Sequence, residues 1–449
     1  MITWDGFKDK NVLVLGLAKS GFAAADLLHS LGANVVVNDA SPEDGNSDVA
    51  LLRSKGITVI CGGHPSDILD AGFDSIVKNP GIPYQNQVLQ QAVEKGIPIW
   101  TEIELAYLIS EAPIVAITGS NGKTTTTTLL YHMLNIGGKK PLIAGNIGTV
   151  ACSVAEKATA DEVIVMEVSS FQLAGIEKYR PKIAVWTNLY DAHIDYHGTF
   201  EEYASAKSRI TMNQEAEDYF IYNADQVEMQ PYINTKAIKI PFSLQGRKEE
   251  GISADSEMIY WQGEPYVKRS IIKLLGQHNL ENIVAATATA ILLDCDKSTI
   301  EDVLSSFTGV RHRMQFVKEL NGRAFYNDSK ATNTLATKSA LSSFGPPVIL
   351  LAGGLDRGHS FEELRPHMGK VKAVIAIGET RERFMEFAVS CGVTDVYAAD
   401  SMVEAVEKAY TKSTIGDQIL LSPACASWDQ YESFEKRGDA FIEAIMKLS

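Results

Sequence analysis

The stretch from Ile114 to Leu134 limits the fold of this chain more than any other. Ile114–Ile117 is short and wholly apolar, Thr118–Thr125 reads TGSNGKTT, and a helical pattern runs from Lys123 to Leu134. A short run that is apolar on both faces suits a strand buried in a parallel sheet. A helix that starts directly after it makes the segment the first half of a βαβ unit. The glycines of such a loop let backbone amides turn inward around phosphate oxygens, and the helix N-terminus adds partial positive charge. Gly119, Ser120, Asn121, Gly122 and Thr125 form the cradle, Lys123 reaches the β- and γ-phosphates, and the Thr124 hydroxyl suits Mg²⁺. The common pattern G-x-x-x-x-G-K-[ST] has Gly six residues before the Lys, where this chain has Ile117, so the match is a shorter variant. The spacing predicts a nucleoside triphosphate, namely ATP, and is silent about the reaction. A helix start with no ligand is the competing account of the same residues.

Similar alternations of apolar runs and helical patterns fill the remainder, which predicts α/β architecture with largely parallel sheets. With 449 residues, about three domains are expected at roughly 150 residues each. We place them at 1–101, 102–309 and 310–449: a Rossmann-like N-terminal domain, a central P-loop mononucleotide-binding ATPase domain and a Rossmann-like C-terminal domain. In the first, strands are expected at Asn11–Leu15, Asn34–Val37, Ser75–Lys78 and Gly96–Trp100. In the second they are expected at Val163–Val168, Ile183–Thr187 and Tyr219–Tyr222, and 237–275 is expected to be a small antiparallel insertion. In the third they are expected at Val348–Ala352, Ala373–Ile377, Val396–Ala398 and Gln418–Ser422.

A net charge of −15 disfavours a polyanionic partner such as nucleic acid, while a local nest of amides still accepts a small anion. The five cysteines are scattered, with no CxxC spacing, which speaks against a disulfide framework or zinc and for a reducing compartment. There is no apolar stretch of membrane-spanning length and no signal-peptide pattern, so a cytoplasmic protein is expected.

Beside the phosphate loop, Glu167 ends an apolar strand, where a Mg²⁺ ligand belongs. His193 follows another strand and suits either metal binding or the capping of a carbonyl. Lys207 lies in a helical pattern and by itself reads as a surface charge. Near the N-terminus, Gly16-Leu17-Ala18-Lys19-Ser20-Gly21 followed by Asp39 is a blunted dinucleotide fingerprint, or else a tight strand-to-helix packing turn.

TGSNGKTT, EVSSFQL (167–173), TNLYDAHIDYHG (187–198), GQHNLENIVAA (276–286), GVRHRMQ (309–315), NDSKATN (327–333) and LSPACASWDQ (421–430) occur in one order along the whole chain. In that order they resemble the Mur ligases, and NDSKATN and LSPACASWDQ resemble those of the D-glutamate-adding branch. The resemblance implies an ATP-dependent ligase that joins D-glutamate to UDP-N-acetylmuramoyl-L-alanine through an acyl phosphate, with two Mg²⁺ (Mn²⁺ as the alternative). It implies Thr124, Glu167, His193 and a carbamylated Lys207 as metal ligands, and Lys123, His193, Lys207 and Lys330 as catalytic residues. It implies ATP contacts from Asn282, Arg313 and Asp328, the last two supplied by the third domain. On the uridine side it implies Gly16, Ala18, Lys19, Ser20, Asp39 and Asn79; on the muramoyl-alanine side, Asn146, Ser169 and Gln172. For D-glutamate it implies Lys330, Thr332, Ser427, Trp428 (through its backbone) and Phe434.

The chain departs from the family pattern at three places. Arg357 stands where the family has a lysine, Ala18 replaces a glycine, and Ala40-Ser41 replaces a Thr-Arg pair. A monomer is expected. Two competing readings are a sister ligase with another amino-acid substrate and a nucleotide-sensing or NAD-binding regulator without chemistry.

Overall fold

The structure, a computed structural model, describes residues 5–44, 46–274, 276–342 and 344–448. The described chain forms two compact units, Met1–Phe307 and Thr308–Ser449. The first unit holds two sheets. One contains β1 (Asn11–Leu15), β2 (Asn34–Asp39), β3 (Thr58–Cys61), β4 (Ser75–Lys78) and β5 (Ile99–Trp100), ordered β3-β2-β1-β4-β5 and parallel throughout. The order reverses between β1 and β4, which opens a crevice at their carboxyl ends.

The second sheet contains β6 (Ile114–Thr118), β7 (Pro141–Gly145), β8 (Val163–Glu167), β9 (Ile183–Trp186), β10 (Tyr219–Asn223), β11 (Ile238–Ser243), β12 (Ile252–Ala254), β13 (Met258–Trp261) and β14 (Glu264–Lys268). Its order is β14-β13-β12-β11-β10-β9-β6-β8-β7, with β6 between β8 and β9. The expectation for 237–275 needs correction. β11 pairs parallel to β10, and β12 parallel to β11; only β13 and β14 are antiparallel. The segment extends the central sheet, because Ile240, Phe242, Ile252, Ala254 and Ile259 bury apolar surface that its polar turns conceal in the sequence.

The second unit has one sheet of β15 (Gln315–Leu320), β16 (Arg323–Asn327), β17 (Val348–Gly353), β18 (Val371–Ile377), β19 (Asp395–Ala398) and β20 (Gln418–Leu421). Its order is β15-β16-β20-β17-β18-β19, parallel except for β15. β17 and β18 are almost wholly buried, as near-continuous apolar runs with helices on both faces should be.

One helix makes the first two sheets a single unit. Glu102–Ile109 is buried nearly all round, and one continuous apolar core runs from Val12 and Val14 through Ile103, Leu105 and Ala106 to Ala116 and Met166. The helix also buries two carboxylates. Glu104 accepts the amides of Glu177, Lys178 and Tyr179 at 2.7–3.0 Å. Glu102 accepts from the Cys152 amide and from Gln172 Nε2, both at 3.2 Å. Burial pushes the Glu102 carboxyl up from 4.5 to about 7, and these bonds only partly oppose the shift.

That shift has a sign. Between about pH 4.5 and 7 the folded protein holds a proton on Glu102 that the unfolded chain has released, so its contribution to stability falls as pH rises, by up to about 3 kcal/mol. Glu102→Gln has nothing to titrate there. Urea unfolding at several pH values should show stability shifting in favour of the Gln variant between those limits. A pH-independent difference would refute the assignment.

Candidate active site

The phosphate loop leaves the carboxyl end of β6, between β8 and β9 in the central sheet, and enters the helix Lys123–Ile136. Its backbone conformation requires glycine. Gly122 has φ 80°, and a Cβ there would stand 2.0 Å from Asn282 Oδ1. A Cβ on Gly119 would stand 2.0 Å from Thr187 Oγ1. The chain leaving β9 holds the loop open. Ser120 N donates to Asn188 O (3.0 Å), Asn121 N donates to Asn188 Oδ1 (2.7 Å), and Thr187 Oγ1 donates to Asn121 O (2.7 Å). Asn282 is buried against Gly122, underneath the loop.

Lys123 Nζ donates to the carbonyls of Gly119 (2.6 Å) and Ser120 (3.0 Å). Lys207, read locally as a surface charge, is 2% exposed. Its Nζ donates to the same Gly119 carbonyl at 2.9 Å and lies 4.7 Å from the centre of the Tyr203 ring. Sharing that oxygen keeps the two nitrogens within about 5.5 Å, where two full charges would repel by about 3 kcal/mol at an effective dielectric of about 20. Burial first, and Lys123 second, therefore hold the Lys207 amine well below its ordinary pKa.

Glu167 ends β8, opposite Ile117 of β6, and is 1% exposed. Its Oε1 accepts from Asn146 Nδ2 at 2.7 Å, while Oε2 is buried with no hydrogen-bond partner. A buried carboxylate oxygen left in that state suits a cation. His193 adopts the left-handed conformation (φ 57°) at the start of the short helix Ile194–His197. Its ring packs 4.9 Å from Phe171 and 6.2 Å from Tyr203. Among the described residues no three His, Cys, Asp or Glu side chains are placed to hold a metal. The residues present therefore fit Mg²⁺ only with further oxygen ligands, from Thr124, a nucleotide or an oxygen-bearing Lys207.

At the β1/β4 crevice, Gly16 has φ 94°, and its missing side chain lets Asn79 and Ile82 approach. Asp39 accepts from Leu17 N (2.5 Å) and Ser41 N (2.7 Å). Burial raises its pKa, and these amides outweigh that and lower it overall. Asn79 Nδ2 donates to Ser20 Oγ at 3.1 Å; Ala18 and Lys19 are exposed at the start of the helix Lys19–Ser30. Gly21 packs on the Gly16 carbonyl, so the turn is also a tight packing turn. Ser169 and Gln172 form a reciprocal cap on the helix Ser170–Leu173. Gln172 is buried, with its amide committed to Ser169 and Glu102.

Within the second unit, Asp328 follows β16 and accepts from Met314 N (3.1 Å) and Ser422 Oγ (2.9 Å); burial pushes its pKa to about 7. Arg313 is half-buried and near enough to oppose that shift. Lys330 Nζ lies 5.8 Å from the Phe434 ring, Thr332 is half-buried and Ser427 is buried. Arg357 is exposed, with its guanidinium 4.8 Å from the ring of Trp428, itself 65% exposed. Three supporting residues escape the sequence analysis. Asn188 holds the phosphate loop. Tyr203 bonds Ser120 Oγ at 2.8 Å, and its position four residues before Lys207 on one helix is a readable signal. Arg437, 1% exposed, joins Ser329 to the Cys425 carbonyl, and nothing in the sequence pattern singles it out.

Residues 10–101 match the family described as "Mur ligase MurD-like, N-terminal domain", 117–290 the "Mur ligase middle domain" and 312–425 the "Mur ligase, glutamate ligase domain". The chain is 53% identical over 449 residues to UDP-N-acetylmuramoylalanine--D-glutamate ligase from Bacillus cereus (strain AH187), covering 100% of both chains. It is 54% identical over 444 residues to the enzyme of that name from Geobacillus sp. (strain WCH70), covering 98% of each. Among solved structures it is similar in fold to UDP-N-acetylmuramate-alanine ligase MurC from Thermotoga maritima (TM-score 0.56, 18% identity, 97% of this chain and 99% of that one). It is also similar to MurF ligase from Thermotoga maritima in complex with ADP (TM-score 0.55, 16% identity, 99% and 97%).

The loop geometry makes one prediction. Gly122→Ala forces a methyl group onto Asn282 at a backbone angle that alanine resists, and should weaken ATP binding by at least about tenfold in equilibrium titration. A melting curve run alongside checks that the variant is folded. An unchanged ATP affinity would remove the loop from the nucleotide site.

Proposed function

The chain belongs to the Mur ligase family, and from that premise we propose that it joins D-glutamate to UDP-N-acetylmuramoyl-L-alanine, consuming ATP and releasing ADP and phosphate. End-to-end similarity to D-glutamate ligases is the observation that carries this reading. The phosphate loop, the unsatisfied Glu167 oxygen and the buried Lys207 amine support it. The step belongs to cytoplasmic peptidoglycan precursor synthesis. No helix among the described residues is long and apolar enough to cross a membrane. We take the enzyme to act as a monomer.

In this reading residues 1–101 hold the uridine nucleotide, 102–309 hold ATP and 310–449 hold the amino acid. A carboxylate is a poor electrophile, so the alanyl carboxylate first attacks the γ-phosphorus of ATP, giving an acyl phosphate and ADP. The loop amides and Lys123 stabilise charge on the transferring group. The amine of D-glutamate then attacks the acyl carbon and phosphate departs. Mg²⁺ would be held by Thr124, Glu167, His193 and, once it bears a carbamate oxygen, Lys207, and would supply positive charge to the transferring phosphoryl group. Asn146, bonded to Glu167, fixes the orientation of that carboxylate. Arg357 and Lys330 are the cations for the carboxylates of D-glutamate, and an Arg stacked on Trp428 offers a two-pronged donor.

Burial holds the Lys207 amine well below its ordinary pKa, which favours carbamylation: a neutral amine attacks CO₂ and loses a proton, turning a cation into an oxygen ligand. Depleting CO₂ should lower activity, with bicarbonate restoring it, and ¹³CO₂ should give a carbamate signal that Lys207→Ala lacks. Absence of that signal in active enzyme would exclude the modification. The overall reaction is tested by the product mass with a panel of amino acids. Preference for any amino acid other than D-glutamate would overturn the assignment. Hydroxylamine added during turnover should trap the alanyl hydroxamate; ligation without any trapping would exclude the acyl phosphate.

A further inference from the structure

Lys78 is the last residue of β4 and is 1% exposed. No carboxylate pairs with it among the described residues. Its Nζ instead donates to the carbonyls of Ile82 (2.8 Å) and Pro80 (3.2 Å) and lies 3.5 Å from that of Asn79. These are three carbonyls of one turn, and that turn carries Asn79 at the β1/β4 crevice. An amine buried away from any acid is costly to charge, and burial pushes the Lys78 pKa down to about 7; the turn's carbonyls accept the protons it holds.

The fourth partner comes from the central sheet's side of the unit. Tyr196, three residues after His193, accepts from Lys78 Nζ at 3.0 Å, and its hydroxyl lies 3.0 and 3.1 Å from the carbonyls of Pro80 and Ile82. The ring of Tyr84 lies 5.1 Å from the same Nζ, and the Tyr84 hydroxyl donates to Ala174 O at 3.1 Å. From Tyr196 the packing continues unbroken. Its ring lies 4.4 Å from Phe171 and 4.9 Å from His197, and His197 lies 5.4 Å from Tyr203, which bonds Ser120 of the phosphate loop.

We propose that Lys78 and Tyr196 are positioning residues: their bond locks the Asn79–Ile82 turn, where a nucleoside-diphosphate sugar is bound, to the His193 segment beside the phosphate loop. The inference rests on the function proposed above for the crevice. Lys78 sets where the substrate's far end arrives relative to the reacting phosphate, though neither residue touches the reacting atoms.

The test uses the full chain with Lys78→Met, Tyr196→Phe and the double variant. Tyr196→Phe removes one hydroxyl and keeps the ring packing, which covers the case of an unfolded Lys78→Met. Each single variant should raise KM for the UDP-linked substrate by about tenfold or more and lower kcat, with KM for ATP changed less than about twofold. The double variant should be little worse than Lys78→Met, since the two side chains act as one unit. Amide hydrogen exchange of 193–199 in the ligand-free protein should speed up in each variant. Fully additive effects, an unchanged KM for the UDP-linked substrate, or unchanged exchange in Tyr196→Phe would overturn the proposal. If the wild-type protein makes no D-glutamate adduct, the functional reading fails by itself, while the exchange experiment still judges the strut.

Discussion

Lys123 and Lys207 donate to the same carbonyl oxygen, that of Gly119, and the rest of the site is arranged around that shared bond. Two ammonium groups this close repel each other, and the cost falls on Lys207, the one that is buried. Lys123, at the helix start, faces the place where phosphate charge would stabilise it. Lys207 has no such outlet and is driven toward the neutral form. In the same site, Glu167 Oε2 is a buried carboxylate oxygen with no hydrogen-bond partner. The unpaired carboxylate oxygen is costly alone, and a dication would satisfy it.

Much of this was legible in the sequence, for a physical reason. Strand, loop and helix at Ile114–Ile136 are contiguous, so their chemistry is local and survives as a pattern. The same holds for Gly16–Gly21 and for the apolar strands of the second unit. What was missed depends on contacts between distant residues. Asn188 holds the phosphate loop across 67 positions, and Lys78 meets Tyr196 across 118. Neither leaves a mark at short range. Lys207 is the instructive intermediate: its helix looks solvated, with exposed Glu201 and Glu202 in the first turn, and only the resemblance to a family singled it out. The misread segment 237–275 failed differently, because its polar turns hid strands that pair in parallel with the central sheet.

The first unit also shows why its two sheets behave as one body. A linker between domains is normally polar and exposed. Here Glu102–Ile109 is buried, and its two carboxylates are bonded to residues that belong to the central sheet's surroundings. Lys78 and Tyr84 make the reciprocal connection from the first sheet. These bonds tie the Asn79–Ile82 turn of one sheet to the segments that flank the phosphate loop of the other.

A common device underlies these connections. The charged groups that matter most for geometry are matched to backbone dipoles instead of to opposite charges. Asp39 takes the amides of Leu17 and Ser41, Glu104 takes three consecutive amides, Lys78 takes two carbonyls of one turn, and Arg437 takes the carbonyls of Ser329 and Cys425. The clear ion pairs, such as Lys10–Asp74 and Lys236–Glu215, lie mostly at the surface, where a pair contributes about 0–1 kcal/mol. A pair of side chains can rotate together and keep its attraction. A side chain bonded to several backbone groups cannot, because those groups are fixed by the fold. Such bonds therefore specify position more than they add stability, and three of the four lie at the turns that carry Gly16, Asn79 and Lys330.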